Sequence, residues 1–132
     1  MALLKILIVD DHAIVRKYIR DLLMAQPQWF VCGEAGDGIE AIEKTKNLQP
    51  DIILMDVSMP QMDGIEATKT IRQEFPECKI ILVSQNDPSV MSVQADEVGA
   101  VGYITKADIT RDLFPVIESV ANLGSRKNSA AT

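Results

Sequence analysis

Short apolar runs alternate along the chain with longer segments in which apolar residues recur at helical spacing. The apolar runs lie at residues 5–9, 29–32, 52–55, 79–83 and 101–105. Each run is too short for a helix and is bounded by turn signals, so each predicts a buried strand. Strict alternation of strands and helices with short connections predicts an α/β domain, in which helices cover both faces of a parallel sheet of five strands.

Each predicted strand is followed by a predicted helix, at residues 13–26, 37–48, 63–75, 87–98 and 110–123. Asp37 and Asp63 are each followed three residues later by a glutamate, which is the pattern of a capping box. Asp87 and Pro88 predict a cap and a first-turn proline. Proline is accommodated in the first turn of a helix, so Pro115 predicts that the last helix starts late, near 110–112.

Length and composition indicate one globular domain. The chain has 132 residues, of which 47% are hydrophobic. We assign residues 1–123 to the domain and 124–132, which are small and polar, to a flexible tail or the start of a linker. A net charge of −6 argues against binding of nucleic acid or an anionic membrane by this segment. No apolar run reaches the roughly 18 residues of a membrane span, and two cysteines fit a reduced, cytoplasmic protein.

Polar side chains of chemical interest follow four of the predicted strands: Asp10 with Asp11, then Asp56, Ser84 and Lys106. Aspartate and serine also cap helices after strands, so each residue alone has a structural explanation. In a parallel sheet, however, all these strand ends lie along one edge, and the side chains therefore converge. His12 follows the acid pair directly, and we expect it to begin the first helix.

Three clustered carboxylates repel one another, by about 4 kcal/mol for a pair 4 Å apart at an effective dielectric constant of 20. A folded site tolerates this repulsion if it binds a cation or keeps one acid protonated. Mg²⁺ is typically bound by a small number of protein oxygen ligands and keeps several water molecules. Lys106 supplies a cation and Ser84 a hydroxyl donor for an anion. A carboxylate nucleophile, a divalent metal, a lysine and a hydroxyl together describe phosphoryl transfer to an aspartate.

At these residues the chain resembles the receiver domain of two-component response regulators, over residues 4–123. The resemblance rests on Ile8-Val-Asp-Asp-His12, Leu54-Met-Asp-Val-Ser-Met-Pro-Gln-Met-Asp-Gly64, Ser84 and Gly102-Tyr-Ile-Thr-Lys106. The strings Val-Asp-Asp-His and Gly-Ala-x-Gly-Tyr are most similar to receivers of LuxR-type helix-turn-helix regulators. The resemblance implies a doubly wound, flavodoxin-like sheet with strand order 2-1-3-4-5. In that order Cys32 and Cys78 lie on strands too far apart for an internal disulfide.

The resemblance also implies roles for the site residues. Asp56 would be the phosphoacceptor, and Asp56 and Asp11 would bind Mg²⁺ directly. The carbonyl of Ser58 would be a third ligand, and Asp10 would act through water. Lys106 would pair with the phosphoryl group.

The implied function is a phosphorylation-regulated switch and not an enzyme with an outside substrate. A sensor histidine kinase would be the donor, and the domain would catalyse its own phosphorylation and dephosphorylation. Ser84 would move toward the phosphoryl group and Tyr103 would turn inward, changing the surface of helix 4, strand 5 and helix 5. Such a switch could act through a homodimer or through an output domain, fused or separate.

Two residues depart from the family pattern, and three other functions compete. Gln85 stands where many receivers have a small residue, and Ala107 where many have proline, so we expect a trans peptide after Lys106 and a differently shaped loop. Gln85 suggests, as the main alternative, a pseudo-receiver that serves as an interaction or dimerisation scaffold. An aspartyl phosphatase of another α/β family would have a second acid at Ser58. A flavin module would have a phosphate-cradling loop in place of Asp10 and Asp11.

Overall fold

A computed structural model describes the backbone of residues 3–131 and the side chains of residues 3–123. Within residues 3–131, five strands alternate with five α-helices. The strands are β1 (Leu4–Val9), β2 (Trp29–Ala35), β3 (Ile52–Asp56), β4 (Lys79–Ser84) and β5 (Gly102–Thr105). The helices are α1 (Ala13–Leu23), α2 (Gly38–Leu48), α3 (Gly64–Glu74), α4 (Pro88–Val98) and α5 (Ile109–Ala131), with a 3₁₀ turn at Lys106–Asp108 before α5.

The sheet is parallel, with the predicted strand order β2-β1-β3-β4-β5. Its register places the polar strand ends side by side. Val9 pairs with Met55, so the next step of each strand brings Asp10 beside Asp56. Ser84 pairs with Thr105, the residue before Lys106. Register and topology together therefore bring these side chains to the carboxyl edge of the three central strands and β5.

The buried side chains form one core cluster on each face of the sheet. Alternate residues of β1 and β3 contribute to opposite faces because successive strand side chains point in opposite directions. Leu7 and Ile53 pack with α2, α3 and α4, whereas Ile8 and Leu54 pack with α1 and α5. Since both faces of these central strands are covered, the runs are apolar at every position, as the sequence pattern predicted.

The predicted helix caps are confirmed. Asp37 accepts a hydrogen bond from the backbone N–H of Glu40 at 2.8 Å, and Asp63 accepts one from Glu66 at 2.9 Å. Asp87 accepts one from Ser89 at 2.9 Å. These bonds satisfy amide groups that the first turn of a helix leaves without intrahelical partners, and so fix where α2, α3 and α4 begin.

Two element boundaries in the amino-terminal half differ from the prediction by more than one residue. Helix α1 ends at Leu23 and not at residue 26, because Leu23 is its last buried residue and Met24 is already 70% exposed. Strand β2 continues past Gly33 to Ala35. Gly33 pairs with Leu7, and the Leu48 side chain fills the space that a side chain at Gly33 would need, since a Cβ there would lie 2.7 Å from Leu48 Cδ1.

The last helix, α5, also differs from its predicted bounds. Helix α5 begins at Ile109, so Pro115 lies in its second turn and not in the first. Proline lacks the N–H for one helical bond, but the buried residues Leu113 and Ile117 hold the helix on the sheet on either side of it. The helical backbone extends to Ala131 rather than ending at residue 123. The assignment of residues 124–132 to a tail or linker, as a part of the chain outside the domain, stays a prediction.

The peptide bond after Lys106 is trans, and a 3₁₀ turn forms the loop there. Cys32 and Cys78 are free thiols, as the strand order requires. Within residues 3–131, the structure contains no helix with the length and apolar character needed to cross a membrane.

Gly64 packs against the backbone at the end of β3, and we predict that Gly64→Ala is strongly destabilising. A Cβ at Gly64 would lie 2.0 Å from the carbonyl oxygen of Asp56. Because backbone atoms must then move, we expect a loss of about 3 kcal/mol in the free energy of unfolding, measured by urea denaturation. Gly36→Ala is the control, since the nearest atom to its Cβ would be 3.7 Å away. Equal stability of the two variants would contradict the predicted clash.

Candidate functional site

Asp10 follows β1 and is almost completely buried, with 1% of its surface exposed. Its backbone N–H donates to the carbonyl of Ala35 at 3.0 Å. One carboxylate oxygen, Oδ1, accepts a hydrogen bond from the N–H of His12 at 2.8 Å. The other, Oδ2, lies 3.0 Å from Nζ of Lys106. Asp10 is therefore held by β2, by the start of α1 and by a cation.

Asp56 ends β3 and is 2% exposed. Its Oδ1 lies 3.2 Å from Nζ of Lys106, whereas its Oδ2 has no hydrogen-bond partner among the described residues. Burial, and next the negative charge of Asp10, raise the pKa of Asp56 to about 6, although Lys106 acts in the opposite direction. Asp56 is thus an acid whose charge the surrounding protein compensates only in part.

Lys106 follows β5, in the 3₁₀ turn, and reaches back over the sheet edge with its side chain 19% exposed. The ammonium group contacts Asp10 and Asp56 together. Partial burial lowers the pKa of Lys106, but the two carboxylates outweigh that effect and the net pKa is raised. The lysine therefore remains a cation and links the ends of β1, β3 and β5.

Asp11 and His12 complete a group of possible metal ligands with Asp10. One ligand atom from each of these three residues lies within 4.8 Å of the others. Asp11 Oδ1 is buried without a hydrogen-bond partner among the described residues, although His12 Nδ1 lies 3.1 Å away. His12 occupies the N-cap position of α1 without a side-chain capping bond, so the first helix begins there, as the sequence predicted. Buried carboxylate oxygens without partners on Asp11 and Asp56 fit an oxygen-binding cation such as Mg²⁺.

The remaining predicted site residues lie around this cluster. Ser84, at the end of β4, is 3% exposed, and its Oγ accepts a hydrogen bond from the N–H of Asn86 at 3.0 Å. Tyr103, on β5, is half-buried and packs against the core cluster below α4. Ser58 is exposed, two residues beyond β3. The structure thus brings Asp10, Asp56 and Lys106 into direct contact and places Ser84 at the same edge.

Sequence reasoning missed Arg16, whose guanidinium contacts the site from α1. Arg16 donates through Nη1 to the backbone carbonyl of Asp10 at 2.5 Å and through Nε to Oε1 of Glu34 at 2.9 Å. The helical pattern predicts where Arg16 lies on α1, but it does not identify the carbonyl that the side chain reaches. A basic residue within two turns after an acid pair is the one available signal, and it is a weak one.

The arrangement combines a buried carboxylate that could act as a nucleophile with groups that could stabilise charge. Asp56 offers one carboxylate oxygen beside a fixed cation, and Asp10 and Asp11 add oxygen ligands at the same edge. Such a set can accept a transferred anionic group on a carboxylate and compensate its charge.

Comparison with known proteins agrees with the resemblance to receiver domains that the sequence motifs indicate. The family model described as "Response regulator receiver domain" matches residues 6–118. The transcriptional regulatory protein YdfI of Bacillus subtilis is 39% identical over 115 residues, covering 87% of this chain and 54% of that protein. A protein-glutamate methylesterase/protein-glutamine glutaminase of Pyrococcus horikoshii is 39% identical over 105 residues, covering 78% of this chain and 28% of that protein.

Among solved structures, a LuxR-family two-component response regulator from Aurantimonas sp. is similar, with a TM-score of 0.85 and 37% identity. The match covers 92% of this chain and 87% of that one. The chain spans about half or less of the length of the two curated relatives above. The activities named for those relatives therefore describe proteins with further segments.

Proposed function

The chain belongs to the family of response-regulator receiver domains, and on that premise we propose that Asp56 accepts a phosphoryl group from a phosphohistidine of a sensor kinase. Asp56 ends a central parallel strand, where open α/β sheets hold their chemistry. The main support is the asymmetry of its carboxylate. Oδ1 lies 3.2 Å from the Lys106 ammonium, and Oδ2 has no partner among the described residues. One oxygen is held by a cation while the other is available for bond formation.

The transfer exchanges one bond to phosphorus for another. An Asp56 oxygen bonds to phosphorus as the bond to the donor's imidazole nitrogen breaks, and that nitrogen then takes up a proton. A pKa of about 6 leaves Asp56 mostly ionised at neutral pH, as a nucleophile must be. Lys106 then compensates charge on the phosphoryl oxygens. Attack of water on phosphorus later releases phosphate and restores the carboxylate, so the domain also catalyses its own dephosphorylation.

We assign the Mg²⁺ of this family to Asp10, Asp11, Asp56 and the carbonyl of Ser58, with Asp10 acting through water. The buried Asp11 Oδ1, which has no hydrogen-bond partner among the described residues, and the incompletely compensated charge of Asp56 support the assignment. When bound, the ion compensates charge on the phosphoryl oxygens. Asp10 and Asp11 serve to bind and orient it, and the backbone after β3 supplies the neutral ligand.

The direct test is intact-mass spectrometry after incubation with acetyl phosphate. We expect the protein to gain one phosphoryl group when Mg²⁺ is present and none when EDTA removes it. Asp56→Asn should not be labelled, because it lacks the nucleophilic oxygen. Asp63→Asn is the matched control, since Asp63 is an exposed helix cap and asparagine also caps helices. Labelling of Asp56→Asn at the wild-type level would assign the chemistry to another residue.

The same experiment separates this proposal from the pseudo-receiver alternative, which rests on Gln85. A pseudo-receiver used as a scaffold would gain no phosphoryl group under any of these conditions. Neither the wild-type protein nor Asp56→Asn would then gain mass on incubation, with or without Mg²⁺.

We propose further that phosphorylation changes the surface formed by α4, β5 and α5, through Ser84 and Tyr103. Ser84 and Thr105 pair across β4 and β5, so a shift of Ser84 toward a phosphoryl oxygen acts on both strands. Val90, Val93 and Val101 expose 40–56% of their surfaces on α4 and just before β5, which suits a partner-binding surface. Moving an equilibrium from 1:99 to 99:1 needs about 5.5 kcal/mol. Contacts of Ser84 and Lys106, at roughly 1.5–3 kcal/mol each, come close to that value.

Amide NMR with beryllofluoride and Mg²⁺, which mimic the phosphoryl group, tests this switch. Beyond the site itself, we expect the shift changes to cluster on α4, β5 and α5 and to be suppressed in Ser84→Ala, which lacks the hydroxyl. Changes centred on α1 and α2 would contradict the proposed route.

The proposed partners follow from the family and from the relatives. We propose that the chain acts in the cytoplasm with a sensor histidine kinase, and that it controls an output domain, fused or separate, or a homodimer. Similarity to transcriptional regulators favours an output that acts on DNA. With a net charge of −6, the segment itself is a poor nucleic-acid binder.

A further inference from the structure

The backbone carbonyl of Asp10 lies between the two acids at the end of β1, and the Arg16 side chain binds it at 2.5 Å. Because a peptide unit is planar, the direction of this carbonyl also fixes the amide N–H and the Cα position of Asp11. The other contacts of Asp10 fix its own amide and carboxylate, through Ala35, His12 and Lys106. Arg16 is therefore the side chain that sets the orientation of the peptide leading to Asp11.

Arg16 is itself held in place. Its Nε donates to Oε1 of Glu34 at 2.9 Å, and its side chain is 20% exposed. Arg20 pairs with the other oxygen of the same carboxylate, and the Lys44 ammonium donates to the backbone carbonyl of Glu34. Glu34 lies in β2, next to β1 in the sheet. The guanidinium thus links α1, β1 and β2 just behind the acid pair.

We propose that Arg16 is a positioning residue for the cation site, which directs the Asp11 carboxylate toward the bound ion by fixing the Asp10–Asp11 peptide. This inference rests on the proposed Mg²⁺ site. Asp11 Oδ1 is buried without a hydrogen-bond partner among the described residues, with His12 Nδ1 lying 3.1 Å away. Because His12 is the next residue in the chain, the positions of both groups depend on the backbone that carries them. The planar guanidinium bonds the Asp10 carbonyl and the Glu34 carboxylate at once, which a lysine ammonium of different shape and reach does poorly.

The test is a Mg²⁺ titration of the full chain, followed through the amide shift of Asp11, for Arg16→Ala, Arg16→Lys and Arg20→Ala. Partners behind metal ligands typically contribute 10- to 100-fold to metal affinity, so we expect Arg16→Ala to weaken Mg²⁺ binding by roughly tenfold or more. Arg16→Lys should lie between Arg16→Ala and wild type. Arg20→Ala is the matched control, because Arg20 contacts Glu34 but not Asp10, and it should keep the wild-type affinity.

Thermal melting in EDTA, measured on the same variants, separates positioning from stability. A purely structural role for Arg16 would lower the melting temperature of Arg16→Ala and leave the Mg²⁺ affinity of the folded protein unchanged, which would overturn the inference. Equal weakening by Arg16→Ala and Arg20→Ala would also overturn it. If Arg16→Ala does not fold, Arg16→Lys against Arg20→Ala decides the same question. A wild-type protein that does not bind Mg²⁺ would overturn the proposed metal site and this inference with it, whereas normal wild-type binding with an unaffected Arg16→Ala overturns the inference alone.

Discussion

Lys106→Met should lower the free energy of unfolding of the metal-free protein by roughly 3–5 kcal/mol near pH 7.5, the range found when one partner of a buried ion pair is removed. Lys106 lies 3.0 Å from Asp10 and 3.2 Å from Asp56, and the side chains of these two acids are 1% and 3% exposed. Methionine has a similar length and no charge. The variant therefore leaves two buried acids without the cation that now lies between them.

The pH dependence of this loss identifies its cause. Lys106 lowers the pKa of Asp56, so its removal raises that pKa further above about 6. Near pH 5 Asp56 of the variant is then protonated, and the loss measured by urea denaturation should be clearly smaller than near pH 7.5. Lys17→Met is the control, because Lys17 pairs with Asp21 at 3.2 Å on the exposed face of α1, where such pairs contribute little. An equal loss at both pH values would instead indicate lost packing.

The edge at which the site lies could be predicted from the sequence because it depends on local patterns. The apolar runs place the strands, and strict alternation makes the sheet parallel, so Asp10, Asp56, Ser84 and Lys106 follow strands that end on the same side. The register of the strands adds information that no local sequence pattern contains. Pairing of Val9 with Met55 places Asp10 and Asp56 side by side at the carboxyl edge of the sheet. The resemblance supplied the strand order, which the structure confirms.

The charge pattern within the site could not be predicted in the same way. The sequence groups Asp10, Asp11 and Asp56 as acids and places Lys106 opposite an incoming anion. In the structure Lys106 lies between Asp10 and Asp56, and the close group of ligand atoms contains His12 in place of Asp56. The position of a long side chain such as that of Lys106 depends on distances between loops that are far apart in the sequence, so no local pattern predicts it.

Packing decides the other features that sequence patterns left open. The approach of Gly64 to the Asp56 carbonyl depends on where α3 meets β3, and no local signal distinguishes this glycine from a turn glycine. The contact of Arg16 with Asp10 joins an α1 side chain to a backbone group six residues earlier. Local propensity predicts that a helix starts shortly before Pro115, whereas the buried face of α5 keeps the helix continuous through this residue.

Asp56→Asn should stabilise the metal-free protein by about 3 kcal/mol at neutral pH, because it removes a buried charge that the fold compensates only in part. The pKa of Asp56 is about 6 in the folded protein, against 3.8 for an unperturbed aspartate. Each pKa unit corresponds to about 1.36 kcal/mol, so the difference of about two units gives roughly 3 kcal/mol. Asparagine has nearly the same shape as a protonated aspartate, so the packing is retained.

The direction of this effect at each pH follows from the number of protons that the folded and unfolded states bind. Below about pH 4 Asp56 is protonated in both states and makes no difference to stability. As the pH rises from about 4 to about 6, the unfolded chain releases this proton first, so unfolding becomes more favourable and wild-type stability falls. Above about pH 6 both states are ionised and the full penalty remains. Urea denaturation of both proteins in EDTA should therefore give stabilities that agree well below about pH 4, diverge up to about pH 6 and then run parallel. Added Mg²⁺ should reduce the difference, because it stabilises the ionised wild-type site. Curves that run parallel from pH 4 upward would mean that Asp56 titrates in the fold as it does in the unfolded chain, and that Lys106 already compensates its charge in full.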